Sequence, residues 1–379
     1  MQLFRQFVVK VASRCNLACD HCYVYEAVDQ SWLNQPRFMS PETVTVVAEQ
    51  IARYAERHSL ADVEVVLHGG EPLLLGPDRM RGLIAELKAV IEPVTRLYLT
   101  MQTNGVRLDQ GWADLFVRED VRIGISLDGG AAANDRHRRY RNGASSHAQV
   151  IRAVELLSAE AYRPVFAGLL CTIDVENDPV AVFEDLAALR PPRIDLLLPH
   201  ATWEYPPPQA RPNETRYGDW LCAVFDAWFE APPVVGVRIF EELLNALLGG
   251  ASQSEAAGQL APESLVIETD GSLEQTDALK VAFPGAAATG YNLFDHSLDT
   301  LSLALDASGT GIGSRGLSPT CQACPVVQAC GGGLYPHRYR PGSGFLNPSV
   351  YCDDLMRLIV HIDHALQKKL ADAGMLVRS

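Results

Sequence analysis

The sequence predicts an α/β chain built from parallel strand–helix units. Three observations carry that expectation. Short runs rich in Val, Ile and Leu alternate with amphipathic stretches across the first two hundred residues. Strands separated by helices return parallel to one another. Polar motifs containing glycine recur just after the apolar runs, on the edge where parallel α/β folds build their sites.

The strands are expected at 7–12, 63–67, 97–101, 122–127, 165–173 and 194–198, and the helices between them at 41–58, 78–91, 109–118, 147–161 and 179–189. Ser40 followed by Pro41 is a good helix start, with a capping hydroxyl and a proline in the first turn. Periodicity does not exclude a closed eight-stranded barrel, but the repeat stops near six. The stiff Tyr205-Pro206-Pro207-Pro208 segment then breaks the rhythm. Helices are expected at 215–230 and 238–248. After them come a strand at Leu265-Val266-Ile267-Glu268, an Asp270-Gly271 turn, Gly/Ser-rich loops around 308–316 and a last amphipathic helix over 353–373.

Composition narrows the function classes. Apolar residues are 47% and charged residues 21% of 379, which excludes wholesale disorder. No run of eighteen apolar residues exists, so no membrane span is expected, and the first residues lack a secretory pattern. A cytoplasmic protein is the expectation. The formal charge of 32 − 46 = −14 argues against a nucleic-acid binder. The one basic run, Arg136-His137-Arg138-Arg139-Tyr140-Arg141, reads either as a solvated loop or as a site for one anionic group.

Seven of the nine cysteines fall into two groups: Cys15, Cys19 and Cys22, then Cys321, Cys324, Cys330 and Cys352. In a reducing compartment such grouping reads as metal or iron–sulfur ligation. Cys171 and Cys222 stand alone in apolar surroundings and read as buried structural thiols. The x3 and x2 gaps of the first group let three thiolates wrap a cubane cluster and leave one iron open. Zinc with a distant fourth ligand, His21 among the candidates, is the other reading of that spacing. The second group supplies four thiolates, a closed set for a structural zinc or a fully ligated [4Fe–4S] cluster.

Cys15-Asn16-Leu17-Ala18-Cys19-Asp20-His21-Cys22 resembles the cysteine motif of the radical S-adenosylmethionine (SAM) superfamily, with His21 where an aromatic residue is usual. His68-Gly69-Gly70-Glu71-Pro72 is similar to the family's Gly-Gly-Glu-Pro motif, and Gln102-Thr103-Asn104-Gly105 and Ser126-Leu127-Asp128-Gly129 follow at the next strand ends. The resemblance implies a partial (β/α)6 barrel over 1–212, a helical bridge over 213–262 and an auxiliary-cluster domain of SPASM type over 263–379. It implies two [4Fe–4S] clusters, one on each cysteine group, and SAM held by His21, Tyr23, Gly69, Gly70, Glu71, Thr103 and Ser126. The two glycines let the backbone approach a ligand, and Glu71 is placed to accept from the SAM ammonium. Cleavage of SAM would then yield a 5′-deoxyadenosyl radical that takes hydrogen from an unactivated carbon.

A full SPASM domain carries further cysteines, and here Leu334 and Thr276 stand at two of those positions. That loss points away from sulfatase-maturing enzymes. Leu265–Gly271, Leu196–Trp203 and the stretch around Gly331–Cys352 resemble maturases of ribosomal peptides with a Phe-x-Ser motif, which form cyclophane crosslinks. The resemblance implies a precursor peptide as substrate, a flavodoxin- or ferredoxin-type electron donor, and Asp277 as proton acceptor. His200, Trp203, His337 and Tyr339 are candidates to line the peptide cleft. Thioether formation, side-chain oxidation and a non-catalytic electron carrier are the alternatives.

Overall fold

The computed structural model describes residues 3–230, 235–250, 263–308 and 316–374. Most of the expected loop at 308–316, and parts of the expected bridge, lie outside these residues. In chain order the elements are β1 (Gln6–Ala12), α1 (Pro41–Arg57), β2 (Asp62–Gly69), α2 (Pro77–Ile91), β3 (Arg96–Thr103), α3 (Gln110–Glu119), β4 (Val121–Ser126), α4 (Ala131–His137), α5 (His147–Ser158) and β5 (Phe166–Thr172). They continue with α6 (Pro179–Ala188), β6 (Arg193–Leu197), α7 (Arg216–Glu230), β7 (Gly236–Val237), α8 (Arg238–Leu247), β8 (Ser264–Ile267), β9 (Ser272–Glu274) and β10 (Ala288–Asn292). Last come α9 (Leu298–Ser308), α10 (Pro319–Gln322), α11 (Val327–Cys330) and α12 (Cys352–Asp372). The Ser40 hydroxyl accepts from the Thr43 N–H at 3.0 Å with Pro41 in the first turn, so α1 begins as its sequence indicates.

The chain forms two compact units. The first comprises Met1–Leu170 with Glu263–Gly311, and the second Cys171–Pro262 with Ile312–Ser379. In the first unit β1 to β5 run parallel, and the late strand β8 pairs parallel with β1. Strands β9 and β10 extend that edge as an antiparallel meander. In the second unit β6 and β7 pair, and α7 packs on α12, with the Phe225 ring edge-on to His361 at 5.9 Å and Gly218 N–H donating to Asp354 at 2.8 Å.

The sheet of the first unit has two unlike faces. Phe7, Val9, Val63, Val65, Leu67, Leu99, Met101, Ile123 and Ile125 are buried on one of them. The opposite face is polar: Gln6 donates to Glu64 (2.8 Å), Thr100 donates to the same carboxylate (2.9 Å), and Gln102 reaches across Gly124 to donate to Ser126 (2.8 Å). The alternation in Val63-Glu64-Val65 and Leu99-Thr100-Met101-Gln102 is the sequence signal for this face. Alternation of this kind departs from the continuous apolar runs of a sheet buried on both sides.

Five charged side chains close the β8 edge of that polar face. Lys10 on β1 pairs with Asp277, and Lys280 lies 2.9 Å from both Glu268 and Glu274. All five are buried, Lys10 to 2% and Lys280 to 1% exposure. The Lys10 and Lys280 ammoniums hold the Asp277 carboxyl down to about 2 against the opposing effect of burial. Burial and the neighbouring carboxylates push Glu274 up to about 8. The three carboxylates would fit around a metal ion, and here Lys280 supplies the cation among them.

Two predictions follow from this cluster. Lys10→Met leaves Asp277 buried beside one fewer cation and should cost about 3–5 kcal/mol in urea unfolding, the usual penalty for removing one partner of a buried pair. The native state binds the Glu274 proton more tightly than the unfolded chain does, so this group's stabilisation is full below about pH 4.5 and is lost as the pH rises through about 8. The melting temperature of Glu274→Gln relative to the parent should therefore climb between pH 5 and pH 8. A difference that stays flat would refute the assignment.

Candidate active site

Cys15, Cys19 and Cys22 lie in the loop after β1, in the first unit. Burial and the neighbouring Glu71 push the Cys15 thiol up to about 12. Burial, against the pull of Arg138, pushes Cys19 up to about 11, and burial also raises Cys22. Cys15 feels both other thiols and Cys19 feels Cys22, so ionising the set together is disfavoured unless a cation compensates the charge. Support for a bound thiolate is present: Leu17 N–H donates to Cys15 Sγ at 3.4 Å and Asn104 Nδ2 approaches it at 3.6 Å. Asn104 also donates to Asn16 Oδ1 at 2.9 Å. Its place after β3 was legible in the Gln-Thr-Asn-Gly motif, but its attachment to the cysteine loop was not.

The glycine pair after β2 serves the protein before any ligand. Between Lys10 and Ala12 the register of β1 against β2 slips by one residue, and Gly70 N–H donates to the Ala12 carbonyl at 2.7 Å. Gly69 has φ +149°, and a Cβ there would overlap the Ala12 carbonyl oxygen. A Cβ on Gly70 would meet the Arg14 backbone at 2.5 Å and the Tyr25 hydroxyl. The close approach expected toward a ligand is thus an approach of the β2 end to the cysteine loop.

Glu71 is fully buried and its carboxylate is heavily engaged. Oε1 accepts from Leu73 N–H (2.9 Å) and the Thr103 hydroxyl (2.7 Å), and Oε2 accepts from Asn104 N–H (2.9 Å). Burial raises its pKa, while these three donors oppose the rise. A carboxylate has about four acceptor positions, so one is left for a ligand ammonium. Thr103 gives its proton to Glu71 and is a strut for that carboxylate. Ser126 is half-buried and accepts from Gln102.

Burial lowers His21 to about 4, and its ring lies 5.4 Å from that of His137. Arg138 donates to Asp128 at 2.7 Å, and Arg139 donates to the Asp135 carbonyl, so the basic run is anchored at its centre by a buried aspartate. Burial pushes Tyr23 well above its ordinary value, with Asp277 adding to the effect. Sequence reading passed over Lys10 and His68, which are paired across β1 and β2. Burial and Lys10 push His68 down to about 4, and its Nδ1 finds no hydrogen-bond partner among the described residues. Asp277, expected as proton acceptor, is part of the buried ion cluster.

The second unit gathers Cys321, Cys324, Cys330 and Cys352, with Cys352 affected by the other three. Leu334 lines a cavity of about 90 Å3 with Leu196, Leu198, His200, His337 and Leu355. His200 and His337 face each other at 5.7 Å, whereas Trp203 is exposed and donates to the Pro348 carbonyl at 2.9 Å. Tyr339 accepts through its carbonyl from the Trp203 N–H at 3.0 Å. Cys171 and Cys222 are buried free thiols.

Residues 9–186 match the model described as the radical SAM superfamily. That stretch, 9–186, is a radical SAM domain. Among curated proteins it is similar to the serine-type anaerobic sulfatase-maturating enzyme of Klebsiella aerogenes, 26% identical over 92% of this chain and 84% of that one. It is also similar to the cysteine-type anaerobic sulfatase-maturating enzyme of Clostridium novyi, 24% identical over 73% and 74%. The fold matches native anSMEcpe with bound AdoMet, which is SAM, with a TM-score of 0.82, 20% identity and coverage of 97% of this chain and 99% of that chain. A structure of the same enzyme also holds the Cp18Cys peptide. The α/β architecture expected from the strand–helix rhythm is therefore the architecture found, and this radical SAM domain is that of an enzyme.

The residues present fit the cofactors of such a domain. Three thiols in one loop, two N–H groups directed at Cys15 and one unused acceptor position on Glu71 are the groups that an iron–sulfur cluster and an amino acid would take up. No helix among the described residues is long and apolar enough to cross a membrane. Gly69→Ala should lower the melting temperature by an amount equivalent to more than about 1 kcal/mol, because its Cβ has nowhere to go at that φ. Iron loading should fall with it, as measured by iron-to-protein ratio after anaerobic reconstitution.

Proposed function

We propose that this enzyme oxidises a side chain in a peptide or protein, in the manner of the sulfatase-maturating enzymes. The observation that carries the reading is the reach of that similarity over 92% of the chain, far beyond residues 9–186. This corrects the emphasis drawn from sequence, where Thr276 and Leu334 in place of cysteines weighed against sulfatase maturation. Loss of cluster ligands alters electron transfer and leaves the barrel and its mouth intact, so it is a weak guide to the substrate.

In this reading Cys15, Cys19 and Cys22 hold the SAM-binding cluster, and Cys321, Cys324, Cys330 and Cys352 hold a second [4Fe–4S] cluster. SAM and its cluster supply, when bound, a radical able to remove hydrogen from an unactivated carbon. The chain's own residues orient the partners. Asn104 supports Cys15, Glu71 offers its remaining acceptor position to the SAM ammonium, Thr103 holds that carboxylate, and His21, Tyr23, Gly69, Gly70 and Ser126 are the other residues assigned to SAM. Asp277 is the group assigned to take the proton that the oxidised side chain loses. Its pair with Lys10 keeps it ionised and makes it a weak base, which suffices because a carbon centre losing an electron is strongly acidic. A flavodoxin- or ferredoxin-type protein is the electron source this reading requires.

Cyclophane crosslinking of a ribosomal precursor is the second reading. The absence of cysteine at Thr276 and Leu334 favours it, as does the resemblance of the stretches noted above. Either reaction removes two hydrogens, so connectivity must decide.

Anaerobically reconstituted protein with SAM and dithionite should yield 5′-deoxyadenosine by mass spectrometry, and a Cys15→Ala/Cys19→Ala/Cys22→Ala protein should yield none. With the Cp18Cys peptide as probe, tandem mass spectrometry should place the change on its cysteine. 5′-Deoxyadenosine formation with the peptide intact would remove the sulfatase-type reading. Asp277→Asn should retain SAM cleavage and lose at least tenfold in modified peptide.

A further inference from the structure

The loop that follows Cys330 is built around a buried cation. Gly331, Gly332 and Gly333 have φ of 61°, 83° and 69°, three successive left-handed residues that turn their carbonyls toward one side chain. Arg338 donates through Nη2 to the carbonyls of Gly331 and Gly333, both at 2.7 Å, and through Nε to that of Gly332 at 3.0 Å. A Cβ on Gly332 would lie 3.0 Å from the guanidinium carbon and 2.6 Å from Leu317, so the turn and the arginine are fitted to each other.

Arg338 is 7% exposed, and no carboxylate among the described residues lies within ion-pair distance of it. Carbonyl oxygens satisfy its donors but do not balance its charge, and an unbalanced buried cation is costly. Burial disfavours its charged form, and the groups near enough to oppose that are Cys321 and Cys330, followed by Tyr335. These thiols balance the cation only as thiolates, the state in which they bind metal.

We propose that Arg338 is the counter-cation of the four-cysteine site, fixing the loop that presents Cys330 and raising the reduction potential of the cluster held there. The inference rests on the assignment of that cluster in the proposed function. Four thiolates around a [4Fe–4S]2+ core carry a total charge of −2, and taking up one electron makes it −3. A buried positive charge beside two of the ligands favours the more negative state. A site that accepts an electron from an oxidised substrate is helped in this way, whereas a purely structural site has no need of it.

The test uses the full chain with Cys15, Cys19 and Cys22 changed to Ala, so that iron can load only at the second group. About four irons and four sulfides per chain with Arg338 intact establish the site. No iron there defeats the cluster assignment itself and is distinguishable from failure of the arginine's role. Arg338→Gln then removes the charge while keeping donors for the carbonyls, and Arg338→Lys keeps the charge without the fork. A mediated redox titration followed by electron paramagnetic resonance should show the Gln protein at least tenfold harder to reduce, which is 59 mV for one electron. The Lys protein should stay near the parent value. A Gln protein that fails to load while the Lys protein loads at the parent potential also supports the role. A fully loaded Gln protein at the parent potential overturns it, as do equal shifts in both variants or loss of iron from both with native circular dichroism.

Discussion

The first unit depends on placing ionised groups where water is scarce. Lys10 has to stand on the inner face of β1 without solvent, and only the carboxylates brought by the β8–β9 segment make that tolerable. The same contact gives the distant segment a reason to add to the edge of β1 rather than elsewhere. With two ammoniums and three carboxylates in the cluster, the proton favoured on Glu274 brings the formal sum to zero. Electroneutrality in a low-dielectric space thus couples strand order to protonation state.

Around that anchor, a few close approaches set the geometry of the mouth. The slip in β1 lets the Gly69-Gly70 backbone lie against Ala12 and Arg14, which brings the cysteine loop beside the end of β2. Glu71 then binds its own turn to the end of β3 through Thr103 and Asn104, and Asn104 returns to Cys15. Two strand ends and the cysteine loop are joined through a single buried carboxylate. The site is rigid because its backbone donors and acceptors are shared among neighbours, a form of preorganisation that a ligand completes.

Much of this was legible in the residues. The βα rhythm, the Ser40 cap, the buried Cys171 and Cys222 and the cysteine spacing followed from period, capping chemistry and donor type. Helices α4 and α9 are not among the expected elements; α4 is only seven residues long and merges into the basic run 136–141. The polar face is signalled by Glu64, His68, Thr100 and Gln102 alternating with apolar neighbours, but the richness of these runs in Val, Ile and Leu masks that alternation. The burial of Asp277 in an ion pair is unreadable from sequence for a different reason. Its partner Lys10 is far away in sequence, and no local pattern announces an ion pair of that separation. The glycines of the Gly-Gly motif were assigned to a ligand because chain–chain contacts are equally invisible from one segment.

The placement of β8 next to β1 also has a consequence for synthesis. Strand β1 leaves the ribosome well before its partner β8, which lies roughly 250 residues later. At about 5–20 residues per second, that interval is on the order of 10–50 s. Throughout it, β1 can pair with β2 but presents an open edge on its other side, with Lys10 lacking its carboxylates. A charged residue on a waiting edge discourages pairing with a foreign strand. The lysine that later lies at the heart of the buried cluster therefore guards the nascent chain until its counter-charges arrive.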